Sequence, residues 1–304
     1  MEYCLETDYL VKSYRNFRAL NGLTMHVPKG AIYGFIGKNG AGKTTLIRII
    51  CGLQKPTAGS YSLYGESFDS RGITKARQRM GGVVETPSIY GGMTAYENLK
   101  QQYVLLGKPT FDGIDELLKL VRLDDTGKKK AGHFSLGMKQ RLGIALALAG
   151  DPDFIVLDEP VNGLDPQGIV EIRELILKLN REKNITFLVS SHILGELSKI
   201  ATHYGFVHKG EILKEISAEE LKQACRKCLS ITVDNPTALA PALDYLKLDY
   251  RLTADDKADI YGEIDFSEIG SILKLHGVKI THATERDEDL EAYYINLLGG
   301  DING

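Results

Sequence analysis

The sequence predicts an α/β fold with a mostly parallel sheet and a smaller second domain. Short apolar runs of strand length alternate with segments of helical periodicity in the first part of the chain, which is the pattern of helices that cover a parallel sheet. A glycine-rich loop joins one such run, residues 31–36, to the helix that follows. After about residue 216 the glycine-rich motifs stop. We therefore expect a large domain over residues 1–215 and an accessory domain over residues 216–304.

The elements of the first domain follow from apolar runs and turn residues. Its expected strands lie at 3–12, 23–27, 31–36, 154–157, 186–190, 204–208 and 211–214. Its expected helices lie at 96–106, 113–121 and 138–148, with one more after the glycine-rich loop that carries Ile47, Ile50 and Leu53 on one face. A turn over residues 13–18 is expected to join the first two strands, and Lys209-Gly210 predicts a closing hairpin.

The second domain shows the order βαββαβ, which is the order of the ferredoxin-like split unit. A linker helix at 218–228 is expected to precede it, and a terminal helix at 287–298 to follow it. The elements between them are expected at 229–233, 237–246, 250–253, 259–264, 266–275 and 278–282. We therefore predict a small α+β domain.

Composition and charge limit the possible functions. The hydrophobic fraction of 43% and charged fraction of 25% are ordinary for a globular protein. The net charge of −3 gives no basic footprint for nucleic acid. Four scattered cysteines do not make a disulfide scaffold, and Cys225 and Cys228, although spaced like metal ligands, lack a second ligand pair. No apolar run approaches the roughly 18–20 residues that span a bilayer, and the start lacks the order of a signal peptide. We expect a soluble protein in a reducing compartment.

Residues 37–44 match the phosphate-binding pattern G-x-x-x-x-G-K-[ST] between a strand and a helix. Glycines allow backbone N–H groups to wrap a phosphate, and the helix N-terminus favours the anion. We expect Lys43 to reach the β- and γ-phosphates and the Thr44 hydroxyl to bind Mg²⁺. The predicted nucleotide-binding residues of this loop are Gly37, Asn39, Gly40, Ala41, Gly42, Lys43, Thr44 and Thr45.

Two acids end the apolar strand at 154–157. Asp158 would lie at the ligand edge of a parallel sheet, where it suits Mg²⁺, and Glu159 suits a general base that polarises water. Taken alone, the pair fits a solvated turn equally well. The phosphate loop earlier in the chain favours the catalytic interpretation.

Residues 134–141, Phe-Ser-Leu-Gly-Met-Lys-Gln-Arg, resemble the signature of ATP-binding subunits of ABC transporters. Leu136 and Met138 depart from the usual Gly and Gln, whereas Ser135 and Gly137 are retained. Ser135 also suits an ordinary helix N-cap, and both roles are compatible. The resemblance covers about residues 3–215. It implies a P-loop NTPase of the ABC type, with an antiparallel β subdomain and a helical subdomain, in which two subunits enclose two ATP molecules.

The same resemblance assigns further residues. Asp165, after Asn162-Gly163-Leu164, resembles the loop that crosses the subunit interface. His192 resembles the switch histidine that contacts the γ-phosphate, and Tyr14 resembles the aromatic residue that stacks on adenine. A lone histidine or a turn tyrosine is more often structural, so these two assignments depend on the order of the motifs.

Glu85 stands where the family usually has Gln. A carboxylate is a stronger Mg²⁺ ligand than an amide but repels the γ-phosphate, and a solvent-facing role is the alternative. Together with the Ser-Leu-Gly-Met signature and residues 89–99, it resembles exporters of the bacitracin-resistance and lantibiotic-immunity type. In that family the stretch at 89–99 touches the membrane partner.

The resemblance implies an ATPase that powers export of peptide antibiotics or other amphipathic compounds, with ATP and Mg²⁺ as cofactors. Its expected partners are an integral-membrane permease and a second ATP-binding subunit, identical or different, without nucleic acid. Its expected location is cytoplasmic, on the inner face of the membrane. The alternatives are a soluble ABC ATPase of assembly or repair, or an importer subunit whose tail senses a ligand.

Overall fold

The computed structural model describes residues 2–225, 228–246, 248–261, 266–286 and 290–300. The chain divides into two compact units, Met1–Ala218 and Glu219–Gly304. The boundary falls shortly after residue 215 because the last strand of the first unit continues to Ser217. Among the described residues, no helix is long and apolar enough to cross a membrane.

The first unit carries the predicted alternation of strands and helices. Its strands are β1 Tyr3–Tyr14, β2 Phe17–Pro28, β3 Ile32–Ile36, β4 Ala58–Leu63, β5 Glu66–Ser67, β6 Met80–Val83, β7 Phe154–Asp158, β8 Thr186–Ser191, β9 His203–His208 and β10 Glu211–Ser217. Its α-helices are α1 Lys43–Ile50, α2 Ile73–Arg77, α3 Ala95–Leu105, α4 Ile114–Leu120, α5 Leu136–Leu148, α6 Pro166–Lys183 and α7 Leu194–Leu197. Short 3₁₀ turns occur at Asp124–Thr126 and Ala131–His133.

A six-stranded sheet forms the centre of this unit, in the order β10-β9-β3-β8-β7-β6. Strands β9, β3, β8, β7 and β6 pair in parallel, and only β10 is antiparallel to its neighbour. All side chains of β3, β7 and β8 are buried, which explains their continuous apolar runs. The predicted α/β class and the mostly parallel sheet are confirmed.

A second, antiparallel sheet has the order β2-β1-β4-β5. The hairpin between β1 and β2 is tighter than the expected turn at 13–18, because Tyr14 pairs with Phe17 and leaves only Arg15 and Asn16 in the loop. Arg15 adopts a positive φ of 46°, which closes this short connection. The antiparallel subdomain is present, and the prediction of a longer turn is wrong.

The phosphate-loop helix α1 ends before the residue that apolar periodicity suggested. Gly52 takes a φ of 78°, and the Leu53 amide donates to the Arg48 carbonyl at 2.8 Å while the Gly52 amide donates to Ile49 at 2.9 Å. These are the two bonds of a Schellman cap. Leu53 therefore lies outside the helix with 65% of its surface exposed, so the prediction that the helix extends through Leu53 is wrong.

Helices α3 to α5 form the predicted helical segment between β6 and β7. The start of α3 is fixed by a reciprocal cap, in which Thr94 Oγ1 accepts from the Glu97 amide at 3.1 Å and Glu97 Oε2 accepts from the Thr94 amide at 2.6 Å. Such capping stabilises a helix by about 0.5–2 kcal/mol. It also fixes the direction in which the chain leaves residues 89–93.

A polar cluster ties the hairpin end of the large sheet to the antiparallel sheet. Glu215 accepts hydrogen bonds from the Tyr33 hydroxyl at 2.6 Å and from the His26 amide at 2.8 Å, and its other oxygen lies 2.9 Å from His26 Nδ1. Burial, together with the Glu215 carboxylate, raises the pKa of Tyr33 well above its ordinary value. The phenol therefore stays a hydrogen-bond donor at neutral pH.

The second unit has its own sheet, in the order β12-β13-β11-β14, with all three pairings antiparallel. Its elements are α8 Ala218–Ala224, β11 Cys228–Val233, α9 Pro236–Tyr245, β12 Asp249–Ala254, β13 Lys257–Tyr261, α10 Phe266–Leu275, β14 Ile280–Arg286 and α11 Leu290–Gly300. Side chains from three of these elements, Ile231, Leu239 and Ile260, lie in a common buried cluster. The predicted element ends at 226–227, 262–264 and 287–289 lie outside the described residues.

Strand β6 approaches helix α5 more closely than a side chain would allow. A Cβ placed on Gly81 would lie 2.4 Å from the carbonyl oxygen of Ala147, whereas one on the neighbouring Gly82 would meet nothing nearer than 3.6 Å. A glycine inside a strand often marks such a close approach. Gly81 thus sets the distance between the sheet edge and α5.

We expect Gly81→Ala to lower the free energy of unfolding by about 1–3 kcal/mol, since the Ala147 backbone must shift to accept the methyl group. Gly82→Ala is the matched control and should leave stability within about 1 kcal/mol of the parent. Thermal unfolding of both variants checks this. Equal unfolding midpoints for the two would contradict the close approach at Gly81.

Candidate functional site

The phosphate loop follows β3 and opens α1. A Cβ on Gly37 would lie 2.6 Å from the Val207 carbonyl oxygen, and one on Gly42, at φ 107°, would lie 2.6 Å from that of Ala19. Only glycine fits these two positions, because both the space and, at Gly42, the backbone conformation exclude a side chain. The loop is therefore held against β9 and β2, with Asn39 and Gly40 exposed and Thr44 and Thr45 in the first turn of α1.

Lys43 is nearly enclosed, with 6% of its side chain exposed. Its ammonium group donates to the Gly37 carbonyl at 2.6 Å and to the Lys38 carbonyl at 3.3 Å, and lies 3.1 Å from Glu159 Oε1. A buried cation is costly unless it is paired. Here the loop carbonyls and the carboxylate hold the ammonium beside the phosphate loop.

Glu159 connects three segments. Its Oε2 lies 2.7 Å from His192 Nδ1, and the His192 amide donates to the same oxygen at 3.4 Å. Its Oε1 is buried and, among the described residues, takes part in no hydrogen bond of good geometry, although Lys43 Nζ is close. This oxygen is an acceptor with unused capacity, which suits a water molecule that must lose a proton.

The backbone at Glu159 adopts the left-handed conformation, with φ 49°. Such a conformation is uncommon for a residue with a side chain and clusters at functional sites. It turns the chain sharply after the buried Asp158. The two consecutive carboxylates therefore point in different directions and differ in their exposure to solvent. Asp158 is 1% exposed, while 19% of the Glu159 side chain is exposed.

Sequence reasoning missed Ser190 as a member of this site. Its hydroxyl donates to Asp158 Oδ1 at 2.6 Å and accepts from the Glu159 amide at 3.0 Å. Ser190 pairs directly with Asp158 in the parallel register of β7 and β8. The available signal was a hydroxyl residue at the end of the strand adjacent to the acids.

Glu85, predicted as a metal ligand, contacts Arg48 in the structure. The two side chains are joined at 2.6 Å, and 54% of the Glu85 side chain is exposed. Arg48 lies one helical turn beyond Thr44 on α1. The guanidinium offsets the charge that distinguishes Glu85 from Gln, and the role of Glu85 as a Mg²⁺ ligand stays a prediction.

Tyr14 lies at the end of the β1–β2 hairpin with 40% of its surface exposed. Its hydroxyl donates to Gln54 Oε1, and the Lys12 ammonium lies 5.3 Å from its ring centroid. An exposed ring fixed at its hydroxyl offers a face on which a base can stack.

Ser135 of the signature and Asp165 each cap a helix. Ser135 Oγ accepts from the Met138 amide at 3.3 Å at the start of α5, and Asp165 Oδ1 accepts from the Gly168 amide at 2.9 Å at the start of α6. Leu164 packs 3.8 Å from the position of a Cβ on Gly137. The starts of α5 and α6, the two segments predicted to face a second subunit, are therefore neighbours in the fold.

An open groove of about 920 Å³ lies beside the Arg48–Glu85 pair. It is lined by the segment that contains Glu85, by the end of α3 and by α5. Three of its leucines are exposed to a degree unusual for such side chains: Leu53 at 65%, Leu105 at 65% and Leu106 at 45%.

Two of the cysteines have raised thiol pKa values. Burial raises the pKa of Cys4 to about 12 and that of Cys51 to about 11, so their reactive thiolate forms are scarce at neutral pH. In the part of the chain that the structure describes, no group of three or more His, Cys, Asp or Glu side chains has the geometry of a metal site.

Comparison with known proteins agrees with this geometry. Residues 20–162 match the family model described as ABC transporter. The chain is 40% identical over 309 aligned positions to the bacitracin transport ATP-binding protein BcrA of Bacillus licheniformis, covering 100% of both chains. It is 42% identical over 211 positions to the lantibiotic transport ATP-binding protein SrtF of Streptococcus pyogenes, covering 69% of this chain and 90% of that one.

Solved structures show the same core. The cbiO1 protein of Clostridium perfringens, part of the ABC transporter complex cbiONQ, superposes with a TM-score of 0.66 at 28% identity, covering 73% of this chain and 92% of that one. A dimeric ATP-binding cassette bound to ADP and Pi superposes with a TM-score of 0.64 at 26% identity, covering 70% and 98%. With its phosphate loop, its paired carboxylates and relatives of full length, the chain belongs to the ABC transporter family and is one of its ATP-hydrolysing subunits.

Proposed function

We propose that this subunit is the motor of a membrane exporter whose cargo is a peptide antibiotic or a related amphipathic compound. The observation that carries the proposal is the 40% identity, over the whole chain, to a protein named for bacitracin transport. The lantibiotic transport relative supports the same class of cargo. We place the subunit on the cytoplasmic side, held to the inner face of the membrane through a permease. A soluble ABC ATPase of assembly or repair is not favoured by these relatives.

The arrangement of Lys43, Glu159 and His192 supports their proposed catalytic roles. Lys43 and His192 both contact the Glu159 carboxylate, so a γ-phosphate bound by these two residues lies beside the same carboxylate. Glu159 Oε1 would then accept the proton of the attacking water, because this oxygen has unused acceptor capacity. Lys43 and His192 would stabilise the charge of the phosphate.

The donor set fits Mg²⁺, which prefers oxygen ligands and is shared with the substrate phosphates. The Thr44 hydroxyl and the Asp158 carboxylate would hold the ion, and Glu85 would join them by releasing Arg48. When bound, Mg²⁺ neutralises charge on the β- and γ-phosphates. The amides of residues 37–45 would bind the phosphates, and Tyr14 would stack on the base.

Two ATP-binding subunits, identical or different, would enclose the nucleotides between them. Ser135 and Gly137 of one subunit would face ATP on the other, and Asp165 would cross the interface. The adjacency of the starts of α5 and α6 supports this arrangement, because neighbouring segments could meet a second subunit together.

We propose that a helix of the permease binds in the groove beside Glu85. Its exposed leucines provide an apolar contact, and its segment at 82–88 connects the end of β6 to the predicted membrane-partner stretch at 89–99. A helix in this groove would follow movement of the segment that carries Glu85. ATP hydrolysis would in this way act on the permease.

Glu159→Gln keeps the shape of the side chain but removes its charge and basicity. We expect ATP binding to persist while turnover falls by about 10²–10⁴-fold, the usual contribution of a general base, and we expect a more stable ATP-bound dimer. ATPase assays and size-exclusion chromatography measure these effects. Glu174→Gln, which alters an exposed residue paired with Arg122, is the control, and unchanged turnover in Glu159→Gln would reject the assigned role.

Leu105→Glu places a charge in the groove, whereas Val104→Glu places the same charge on the adjacent residue of α3, which is 56% exposed and does not line the groove. We expect only Leu105→Glu to lose co-purification with the permease partner. Both variants should hydrolyse ATP as isolated subunits. Equal recovery of the permease with both variants would remove the groove from the proposal.

The cargo is tested by producing the subunit and its permease in a sensitive bacterium. We expect a higher inhibitory concentration of bacitracin or of a lantibiotic, and we expect Glu159→Gln to abolish this protection because transport depends on hydrolysis. A panel of both peptides and an unrelated ribosome-directed antibiotic measures the selectivity. Protection against none of the peptides by a complex that hydrolyses ATP would overturn the proposed cargo.

A further inference from the structure

We propose that Ser190 is a positioning residue that sets the directions of Asp158 and Glu159 relative to one another. This inference rests on the nucleotide-site roles proposed above for the two acids. Its basis is a pair of hydrogen bonds made by one buried hydroxyl to both residues.

The first bond acts on Asp158. Ser190 is 0% exposed and Asp158 is 1% exposed, so water does not compete for this contact. The hydroxyl has a single proton, and at 2.6 Å from Oδ1 that proton is directed to the carboxylate. A hydrogen bond to a charged acceptor is short and strong. It occupies one oxygen of Asp158 and leaves the other for the cation.

The second bond acts on Glu159 through its backbone. The Glu159 amide donates to the Ser190 hydroxyl at 3.0 Å and also to the Ser190 carbonyl oxygen at 3.2 Å, so both groups of Ser190 hold it. This amide belongs to the residue with a φ of 49°, a conformation that persists only where its surroundings hold it. Anchoring the amide at Ser190 fixes the turn that directs the Glu159 side chain to Lys43 and His192.

The location of Ser190 on β8 adds a third connection. Ser190 pairs with Asp158 across the sheet, and His192 lies two residues further along the same chain. The spacing between His192 and the Glu159 carboxylate therefore depends on the same strand pairing that brings the hydroxyl to Asp158. One strand end thus aligns the proposed metal ligand, the general base and the phosphate-contacting histidine.

The test compares Ser190→Thr with Ser190→Val in the full chain. These two side chains have nearly the same shape, but only threonine keeps the hydroxyl. We expect Ser190→Val to lower kcat at least tenfold and to weaken the effect of Mg²⁺ on ATP affinity by about tenfold, the usual size of an effect transmitted through a metal ligand. Ser190→Thr should stay within about threefold of the parent in both measurements.

Binding of ATP with Mg²⁺ and with EDTA, followed with a fluorescent ATP analogue, provides a readout independent of turnover. Thr186→Val is the matched control, because Thr186 is a buried hydroxyl on the same strand whose Oγ1 accepts from the Gly30 amide at 2.9 Å. Thr186→Val should lower the stability of the protein but leave the effect of Mg²⁺ on ATP affinity unchanged. Ser190→Ala, which adds no bulk, repeats the measurement if the branched variants do not fold.

The positioning role would be overturned if Ser190→Thr and Ser190→Val had the same kcat and the same effect of Mg²⁺ on ATP affinity. It would also be overturned if Ser190→Ala matched the parent in both quantities. That outcome, together with an inactive Glu159→Gln, would leave the proposed ATPase site intact. Normal turnover by Glu159→Gln would instead reject the underlying assignment of the general base.

Discussion

The contact of the Glu159 carboxylate with Lys43 and His192 is the interaction on which the arrangement of the site depends. The three residues follow β7, β3 and β8, which are neighbouring parallel strands, so their carboxyl ends meet at one edge of the sheet. In that order β8 lies between β3 and β7, so His192, which follows β8, and Lys43 both reach the acid at the end of β7. The side chains of these strands are wholly buried, so the apolar core supports the sheet edge at which the three residues meet.

The sequence predicted the parts of the site that are local in the chain. The phosphate loop needs glycines at fixed positions, so Gly37 and Gly42 could be identified without a structure, and the acids Asp158 and Glu159 mark a strand end by themselves. Contacts between distant segments could not be predicted in this way. The bond from Ser190 to Asp158 depends on strand register, and the pairing of Glu85 with Arg48 depends on how a loop lies against α1.

The differences at element ends have backbone causes. The apolar periodicity predicts that α1 continues to Leu53. A Schellman cap has no periodic pattern in the sequence, because it depends on two amide hydrogen bonds and on the positive φ of Gly52, which reverse the chain. The sequence predicts a turn over residues 13–18 between the first two strands. Pairing of Tyr14 with Phe17 instead leaves a two-residue loop, and this brings the exposed Tyr14 ring to the end of the hairpin.

The capping bonds of Ser135 and Asp165 bear on how a second subunit would be recognised. A side chain that already accepts from its own helix is held in one direction, so little entropy is lost when it meets a partner. Arg141 of α5 lies 3.5 Å from Glu171 of α6, and Arg141 also donates to the Val121 carbonyl at 3.1 Å. These contacts join α5 to α6 and to the end of α4. A partner that engaged the signature would therefore meet the Asp165 segment in a fixed relation to it, because α5 and α6 are joined by these contacts.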